Sequence, residues 1–280
     1  MDLAMFSTRV FQLAIICFFV APATAHAENV VQAAIKNATT PAHRMKSDEK
    51  NWWQKRHESK VTEAKNTEWD IIFLGDSITH SWETAGEKTW NKYYRKRKAL
   101  NLGFSGDRTE HVLWRLDNGE FEEVQPKVVV LMIGTNNTGH RKDPPKAIAA
   151  GVEKIIERIN TKSPTTEILL LAIFPRSEKA ADPQRKNNDR TNALLEKLTK
   201  KDGVTYLDIN ERFLLPDGTL SKEIMPDLLH PKQKIVSYVS LLYLVLPLDQ
   251  QFYQISNIFL CGFCWSWTWL HLTVVPLNKN

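Results

Sequence analysis

The stretch "WDIIFLGDSIT", residues 69–79, decides the fold of this chain. An apolar run is followed at once by Gly75, Asp76 and Ser77, which is typical of a buried strand that turns into a helix. Two interpretations of Ser77 stay open on this stretch alone. It is either the N-cap of the following helix, a common place for serine, or a nucleophile presented at the end of a strand.

The same pattern recurs along the chain. Further short apolar runs, read as strands, lie at 99–103, 128–134, 167–174 and 204–209. Amphipathic segments between them predict helices near 87–97, 109–118, 145–161 and 187–201. Alternating strands and helices predict an α/β fold with a parallel sheet and right-handed crossovers.

Polar residues collect where these strands end. Gly106 follows the second strand, Asn136 follows the third, and Asp227 and His230 come downstream of the fifth. Parallel sheets bind ligands beyond the carboxyl ends of their strands. We therefore expect these residues to lie around Ser77.

The set has the composition of a serine hydrolase site. A serine hydroxyl needs a base, and the imidazole of His230 suits that role. Asp227 lies three residues earlier, so one turn can bring its carboxylate to the second ring nitrogen. The oxyanion formed on attack needs donors, which the backbone N–H groups of Ser77 and Gly106 and the amide of Asn136 can supply.

Each residue also has a purely structural interpretation. Gly106 can simply allow a tight turn, Asn136 can be a turn residue, and Asp227 with His230 can be a surface pair. Their joint occurrence, in this order and at strand ends, favours the catalytic interpretation.

The four blocks built on Ser77, Gly106, Asn136 and Asp227-x-x-His230 resemble those of the SGNH (GDSL-type) hydrolase superfamily. Residues 69–231 are most similar to the catalytic-subunit class of the intracellular platelet-activating factor acetylhydrolases. The segments "LNLGFSGDRTEHVLWRLDNGE", "PKVVVLMIGTNN" and "FPRSEK" carry that likeness.

The resemblance implies a flavodoxin-like three-layer sandwich with a five-stranded parallel sheet. It also implies hydrolysis of acyl esters without metal or cofactor. The implied nucleophile is Ser77, the base His230 and the orienting acid Asp227, with Gly106 and Asn136 as oxyanion donors beside Ser77. We expect a serine esterase for short acyl groups, most simply acetyl, with a small-molecule or glycan ester as substrate. The alternatives are a lysophospholipase or thioesterase, and a non-catalytic glycan-binding module of the same fold.

The amino terminus carries a leader-like pattern. Arg9 precedes the apolar run 10–20, and Ala25 and Ala27 form an A-x-A pattern. We interpret residues 1–27 as a signal peptide, which predicts a secreted or periplasmic protein; a retained anchor is the alternative. Residues 28–68 follow as a polar lead-in and docking helix.

The hydrolase domain is expected over 69–246, and 247–280 form an atypical apolar tail. Between Ile235 and Asn280 only Asp249 and Lys279 are charged. A shifted reading frame or foreign extension explains this change of composition better than a membrane span, so membrane contact through the tail is the less favoured alternative.

The net charge of +5 is mild, and its densest cluster is "YYRKRK", residues 93–98. We interpret that run as a solvated helix end, so no nucleic-acid partner is expected. The sequence is compatible with a homodimer. No cysteine lies between Ala27 and Leu260, so the fold does not depend on disulfides.

Overall fold

The computed structural model describes residues 26–44 and 52–232. Residues 1–25 of the expected leader, residues 233–246 at the end of the expected hydrolase domain, and the apolar tail 247–280 lie outside the described residues.

A parallel sheet of five strands forms the centre of the described chain. The strands are β1 (Ile71–Gly75), β2 (Ala99–Gly103), β3 (Val128–Met132), β4 (Glu167–Leu171) and β5 (Val204–Leu207). Their spatial order is β2-β1-β3-β4-β5, which is the flavodoxin-like order, and every pair is parallel. The predicted α/β fold class is therefore confirmed.

Helices precede and connect these strands. They are α1 (26–39), α2 (Trp52–Lys65), α3 (Ser77–His80), α4 (Glu87–Tyr93), α5 (Thr109–Arg115), α6 (Pro145–Lys162) and α7 (Pro183–Leu195). None of the helices in the described ranges has both the length and the apolar character needed to cross a bilayer.

Alternate residues of each strand enter different cores, because successive side chains point to opposite faces of a sheet. Ile72 and Leu74 pack into the core that includes α5 and α6. Ile71 and Phe73 pack on the other face with Trp82. Both faces of the sheet are thus covered, which explains why its strands read as continuous apolar runs.

Helix α7 begins at Pro183, four residues before the predicted start. The carboxylate of Asp182 caps it by accepting hydrogen bonds from the N–H groups of Gln184, at 2.8 Å, and Arg185, at 3.4 Å. Proline at the first helical position loses no intrahelical bond. The sequence prediction relied on apolar spacing and missed this polar first turn.

Short helix α3 lies directly against the end of β2. A Cβ atom at Gly103 would be only 2.2 Å from the backbone nitrogen of His80, so this position requires glycine. Asn101 fastens the contact through its side-chain amide, which donates to the carbonyl of Thr79 at 2.9 Å. This packing fixes the start of α3, and with it Ser77, at the carboxyl edge of the sheet.

Helix α2 lies in the region predicted as lead-in and docking helix. Trp53, His57, Lys60 and Ala64 are buried along its length. The indole N–H of Trp53 donates to the carboxylate of Asp107 at 2.7 Å. The lead-in therefore contacts the turn that follows β2.

Candidate active site

Ser77 occupies the first position of α3, immediately beyond β1. The capping role belongs to its neighbour, since the carboxylate of Asp76 accepts the N–H of Ile78 at 3.0 Å. The Ser77 hydroxyl instead lies 2.8 Å from Nε2 of His230. Of the two interpretations of Ser77, the geometry favours the one in which its hydroxyl faces a base.

Asp227 holds His230 from the other side of the ring. Its Oδ2 lies 2.6 Å from Nδ1 of His230, and its Oδ1 accepts the backbone N–H groups of Leu229, at 3.1 Å, and His230, at 2.8 Å. Leu228, inside this turn, has a φ of +59°. The segment 227–230 is thus a tight turn that binds the imidazole to a carboxylate three residues earlier.

These contacts set the proton positions on the ring. Partial burial works to raise the pKa of Asp227, but hydrogen bonds from the His230 ring and backbone outweigh it, so the pKa lies below its ordinary value. An ionised carboxylate only accepts, so Nδ1 of His230 carries the proton. Nε2 is left with its lone pair toward the Ser77 hydroxyl, as a general base requires.

The predicted oxyanion donors belong to two neighbouring loops. Asn136 donates one amide hydrogen to the backbone carbonyl of Asp107 at 2.9 Å. Because the amide has two hydrogens, the second can serve another acceptor. Gly106, the residue before that carbonyl, has a φ of +81°, a conformation that glycine adopts without strain. The structure thus joins Asn136 to the Gly106 turn.

Asp76 is a buried carboxyl directly beyond the end of β1. The pKa of Asp76 is raised to about 7, first by complete burial; the fields of His230 and Asp107 lower and raise it respectively. The end of β1 lies between the ends of β2 and β3, which lead to Gly106 and Asn136. The Asn136–Asp107 bond and the Ser77–His230–Asp227 contacts place the five predicted site residues at this carboxyl edge of the sheet.

Asp107 is a buried residue whose importance sequence reasoning missed. Its carboxylate accepts the Trp53 indole N–H and, at 2.9 Å, Nε of Arg115. Burial raises the pKa of Asp107 to about 6, although Arg115 opposes the change. The available signal was the spacing Asp107, His111, Arg115, which places the three on one side of a helix and its leading turn.

Two further groups shape the site. Arg176 donates to the backbone carbonyl of Thr135 at 2.7 Å and to its hydroxyl at 3.1 Å, which fixes the loop that carries Asn136. His80 contacts the hydroxyl of Ser105 at 2.9 Å, and its pKa is lowered to about 4, first by burial and then by Arg56. A ring with that pKa is a weak base at neutral pH, so His230 remains the candidate base.

Within 26–44 and 52–232, no group of three or more His, Cys, Asp or Glu side chains is arranged to hold a metal ion. The arrangement can activate a hydroxyl and stabilise a negative oxygen.

The chain is similar to two sets of known proteins. The chain is 39% identical over 179 residues to the platelet-activating factor acetylhydrolase IB subunit alpha2 of Rattus norvegicus, covering 64% of this chain and 76% of that protein. It is 34% identical over 192 residues to the alpha1 subunit of Bos taurus, covering 68% and 79%. A GDSL-like lipase structure from Bacteroides thetaiotaomicron, 16% identical, matches the fold with a TM-score of 0.54 over 66% of this chain and 92% of the other.

The relatives also correct one prediction. A secreted or periplasmic location is contradicted, because the similar proteins are subunits of the intracellular acetylhydrolase class. The leader pattern was a weak basis, since a short apolar run followed by small residues occurs in many contexts. The predicted cleavage point after Ala27 falls within helix α1.

A family comparison covers the segment that carries these residues. The GDSL-like lipase/acylhydrolase family matches residues 73–235, which include Ser77, Gly106, Asn136, Asp227 and His230. That segment is more than half of the chain, and the sheet order and the geometry around Ser77 agree with the match. The chain therefore belongs to the GDSL-like lipase/acylhydrolase family.

Proposed function

We propose that this protein is a serine esterase that removes short acyl groups, most simply acetyl, from a polar alcohol such as a carbohydrate. The observation that carries the proposal is the continuous hydrogen-bonded chain Asp227–His230–Ser77, with distances of 2.6 and 2.8 Å. Membership of an acylhydrolase family and similarity to proteins named acetylhydrolases support the reaction class and the acetyl group.

The first half of the proposed reaction forms an acyl-enzyme. The Ser77 oxygen attacks the ester carbonyl while its proton passes to Nε2 of His230. The carbonyl oxygen becomes negative and is stabilised by the N–H groups of Ser77 and Gly106 and the free amide hydrogen of Asn136. His230 then returns the proton to the departing alcohol oxygen as the carbon–oxygen bond breaks.

The second half regenerates the enzyme. A water molecule attacks the acyl carbon, and His230 takes its proton. The bond to the Ser77 oxygen breaks, that oxygen regains the proton, and the carboxylic acid leaves. Asp227 stays ionised throughout and stabilises the imidazolium that forms twice in the cycle.

Purified full-length protein and its Ser77→Ala variant provide the test, with p-nitrophenyl esters of increasing acyl length as substrates. We expect the highest kcat/KM on acetate and a loss of at least about 10⁴-fold in the variant. Ser59→Ala, the same change at an exposed position of α2, is the matched control and should retain full activity.

Other outcomes would replace the proposal. A maximum at long chains would favour the lysophospholipase or thioesterase alternative. Absence of hydrolysis on every ester, in a folded protein, would favour a non-catalytic module. Retention of more than about a tenth of the rate in Ser77→Ala would remove the hydroxyl from the reaction.

A further inference from the structure

The turn that follows β2 carries the predicted oxyanion donor Gly106. The N–H of Asp107 donates to the carbonyl of Phe104 at 3.1 Å and closes a turn of four residues. The φ angle is +81° at Gly106, the third residue, and is not positive at Ser105, the second. This is the pattern of a type II turn, whose third residue is usually glycine.

The peptide between Ser105 and Gly106 has two possible orientations. Type I and type II turns differ mainly in that this central peptide is rotated by about 180°. Because a trans peptide is planar, its carbonyl and its N–H point in opposite directions. Rotation to the type I orientation would therefore put the Ser105 carbonyl oxygen where the Gly106 N–H now points. An oxyanion is stabilised only by the N–H, so the orientation of this peptide decides whether the turn is a donor.

Arg44, at the end of the segment that follows α1, binds the carbonyl of this peptide. Its Nη1 donates to the carbonyl of Ser105, and a Cβ atom on Gly106 would be only 2.7 Å from the same Nη1. The carbonyl thus faces the guanidinium, and the Gly106 N–H is turned away from it. Among the residues that the structure describes, no acceptor takes this N–H. It is available for an oxygen of the substrate.

The guanidinium of Arg44 is itself held in place. The side chain is 13% exposed, and its Nη1 lies 4.0 Å from Oδ1 of Asp107. Its Cζ lies 5.6 Å from the ring centre of Trp52. The Asp107 carboxylate is fixed in turn by Trp53 and Arg115. The charge of Arg44 is therefore paired, and what the side chain offers is a fixed direction for its N–H groups.

Other contacts set the distance between the turn and the nucleophile. The N–H of Phe104 donates to the carbonyl of Gly75 at 3.1 Å, so the turn begins beside the end of β1. His80, three residues after Ser77 on α3, has its Nδ1 2.9 Å from the hydroxyl of Ser105. These two contacts fix the position of the turn, whereas the guanidinium contact fixes the orientation of its central peptide.

We propose that Arg44 is a positioning residue for the oxyanion hole: its bond to the Ser105 carbonyl holds the peptide in the orientation that presents the Gly106 N–H to the reacting ester. The proposal rests on the proposed esterase function, because the role exists only while the ester carbonyl oxygen becomes negative. A charge-assisted bond to the carbonyl also polarises the peptide, which makes its N–H a stronger donor. Arg44 acts through this peptide and is not itself a catalytic residue.

Steady-state hydrolysis of p-nitrophenyl acetate by full-length variants gives the first measurement. In Arg44→Gln we expect kcat and kcat/KM to fall together by about 10–100-fold at nearly constant KM, because the interaction counts only as charge develops. Arg44→Lys keeps the charge without the fork that reaches both the Ser105 carbonyl and Asp107, so its loss should be smaller. Arg95→Gln, the same change at an exposed position, is the matched control and should leave both constants unchanged.

Inhibition by trifluoroacetone separates positioning from a loss of stability. The Ser77 oxygen adds to the ketone carbon, its proton passes to Nε2 of His230, and the carbonyl oxygen becomes an oxyanion in the hole. The Ki should therefore rise in Arg44→Gln by the same factor as kcat/KM falls. A variant that is merely less stable has fewer active molecules, which lowers kcat but leaves the Ki unchanged.

Three results would overturn the proposal and leave the esterase function intact. They are an unchanged kcat in Arg44→Gln, a lower kcat at unchanged Ki, and a change in KM alone. If Arg44→Gln does not fold, Arg44→Lys decides by the same two measurements, and unchanged kcat and Ki in that variant reject the positioning role.

Failure of the esterase function itself would be recognised separately. If the unsubstituted protein hydrolyses no ester, fluorine NMR with trifluoroacetone still tests the oxyanion hole. An adduct that forms in the unsubstituted protein and weakens about tenfold or more in Arg44→Gln supports the positioning role. Absence of an adduct in the unsubstituted protein rejects it.

Discussion

Two aspartates flank the Ser77–His230 pair, and they occupy opposite environments. Asp76 precedes the serine, is 1% exposed, and has its pKa raised to about 7 by burial. Asp227 precedes the histidine by three residues, its side chain is 55% exposed, and its pKa is lowered. Both belong to short motifs around the candidate site. At neutral pH, however, Asp227 is ionised, whereas Asp76 is partly protonated.

The difference follows from their hydrogen-bond partners. Asp227 accepts two backbone N–H groups and the His230 ring, all of which favour the ionised form. Asp76 accepts the N–H of Ile78 in a fully buried position, where the desolvation of its charge outweighs that hydrogen bond and the field of His230. An orienting carboxylate must be ionised while the imidazole gains a proton. Asp227 meets that condition, and Asp76 serves as a helix cap.

The largest expected effect comes from removal of His230, the histidine of the pair that the two aspartates flank. His230→Ala should reduce kcat/KM on p-nitrophenyl acetate by about 10⁴-fold or more, because Ser77 then lacks a base. The double variant with Ser77→Ala should lose little more, since residues that act as a unit are not additive. Additive losses in the double variant would show that the two residues do not form one catalytic unit.

Asn136→Ala tests the buried side of the site, where the predicted oxyanion donor Asn136 lies. We expect kcat to fall by about 10²–10³-fold with little change in KM, because the amide acts mainly when charge develops. Asn118→Ala, at an exposed position, is the control. Asn137→Ala is a poor control, since Asn137 is fully buried and bonded to Thr109 and Asp143. A change in KM alone would assign Asn136 to substrate binding.

Removal of either aspartate sharpens the comparison between them. Asp227→Ala should lower kcat by about 10²-fold, less than loss of the histidine, because water can reach the exposed ring and replace part of the contact. Asp76→Asn keeps the cap acceptor and should lower kcat by less than about tenfold. Steady-state kinetics that showed the larger loss in Asp76→Asn would contradict the assignment of the orienting role to Asp227 and the capping role to Asp76.

The buried carboxyl of Asp76 should make the protein less stable as pH rises. This is opposite to the effect of a carboxyl such as Asp227, whose pKa is lowered by folding. Because folding raises the pKa of Asp76, its contribution is greatest below pH 4 and is lost as pH rises through about 7. Asp76→Asn removes that loss, so the free energy of unfolding of the variant relative to the unsubstituted protein should increase between pH 5 and 8, by up to about 3 kcal/mol.

Urea unfolding at several pH values measures this difference. Asp202→Asn, an exposed change of the same kind, is the control. A pH-independent difference for Asp76→Asn would mean that the buried carboxyl is ionised throughout.

Local patterns in the sequence were sufficient for the sheet and for the residues that surround its edge. Apolar runs mark strands, and polar residues that follow them must gather at one edge of a parallel sheet. Local patterns could not show which of two adjacent polar residues caps the helix and which one contacts a distant side chain. Asp76 and Ser77 are both good caps, and only the position of His230, 153 residues from Ser77, shows which of them is left to face a base.

Contacts between distant segments also escaped prediction. Trp53 lies in the segment predicted as a polar lead-in and docking helix, and nothing in its surroundings in sequence indicates that its indole N–H meets a buried carboxylate 54 residues away. The location was predicted wrongly for a related reason. A leader pattern depends on composition within a short window, and such windows carry little specificity.

The smallest expected effect tests whether this distant contact reaches the site. Trp53→Phe removes the donor to Asp107, whose backbone carbonyl holds Asn136, so kcat should fall by about three- to tenfold at unchanged KM, with about 1–3 kcal/mol lost from the free energy of unfolding. Trp69→Phe is matched, since it removes an indole bond to the carbonyl of Ala64 at the other end of α2. Both variants should lose stability, but only Trp53→Phe should lose kcat. Equal kcat in the two variants would show that Asp107 stabilises the fold without positioning Asn136, and that the buried side of the site is fixed by its own loops.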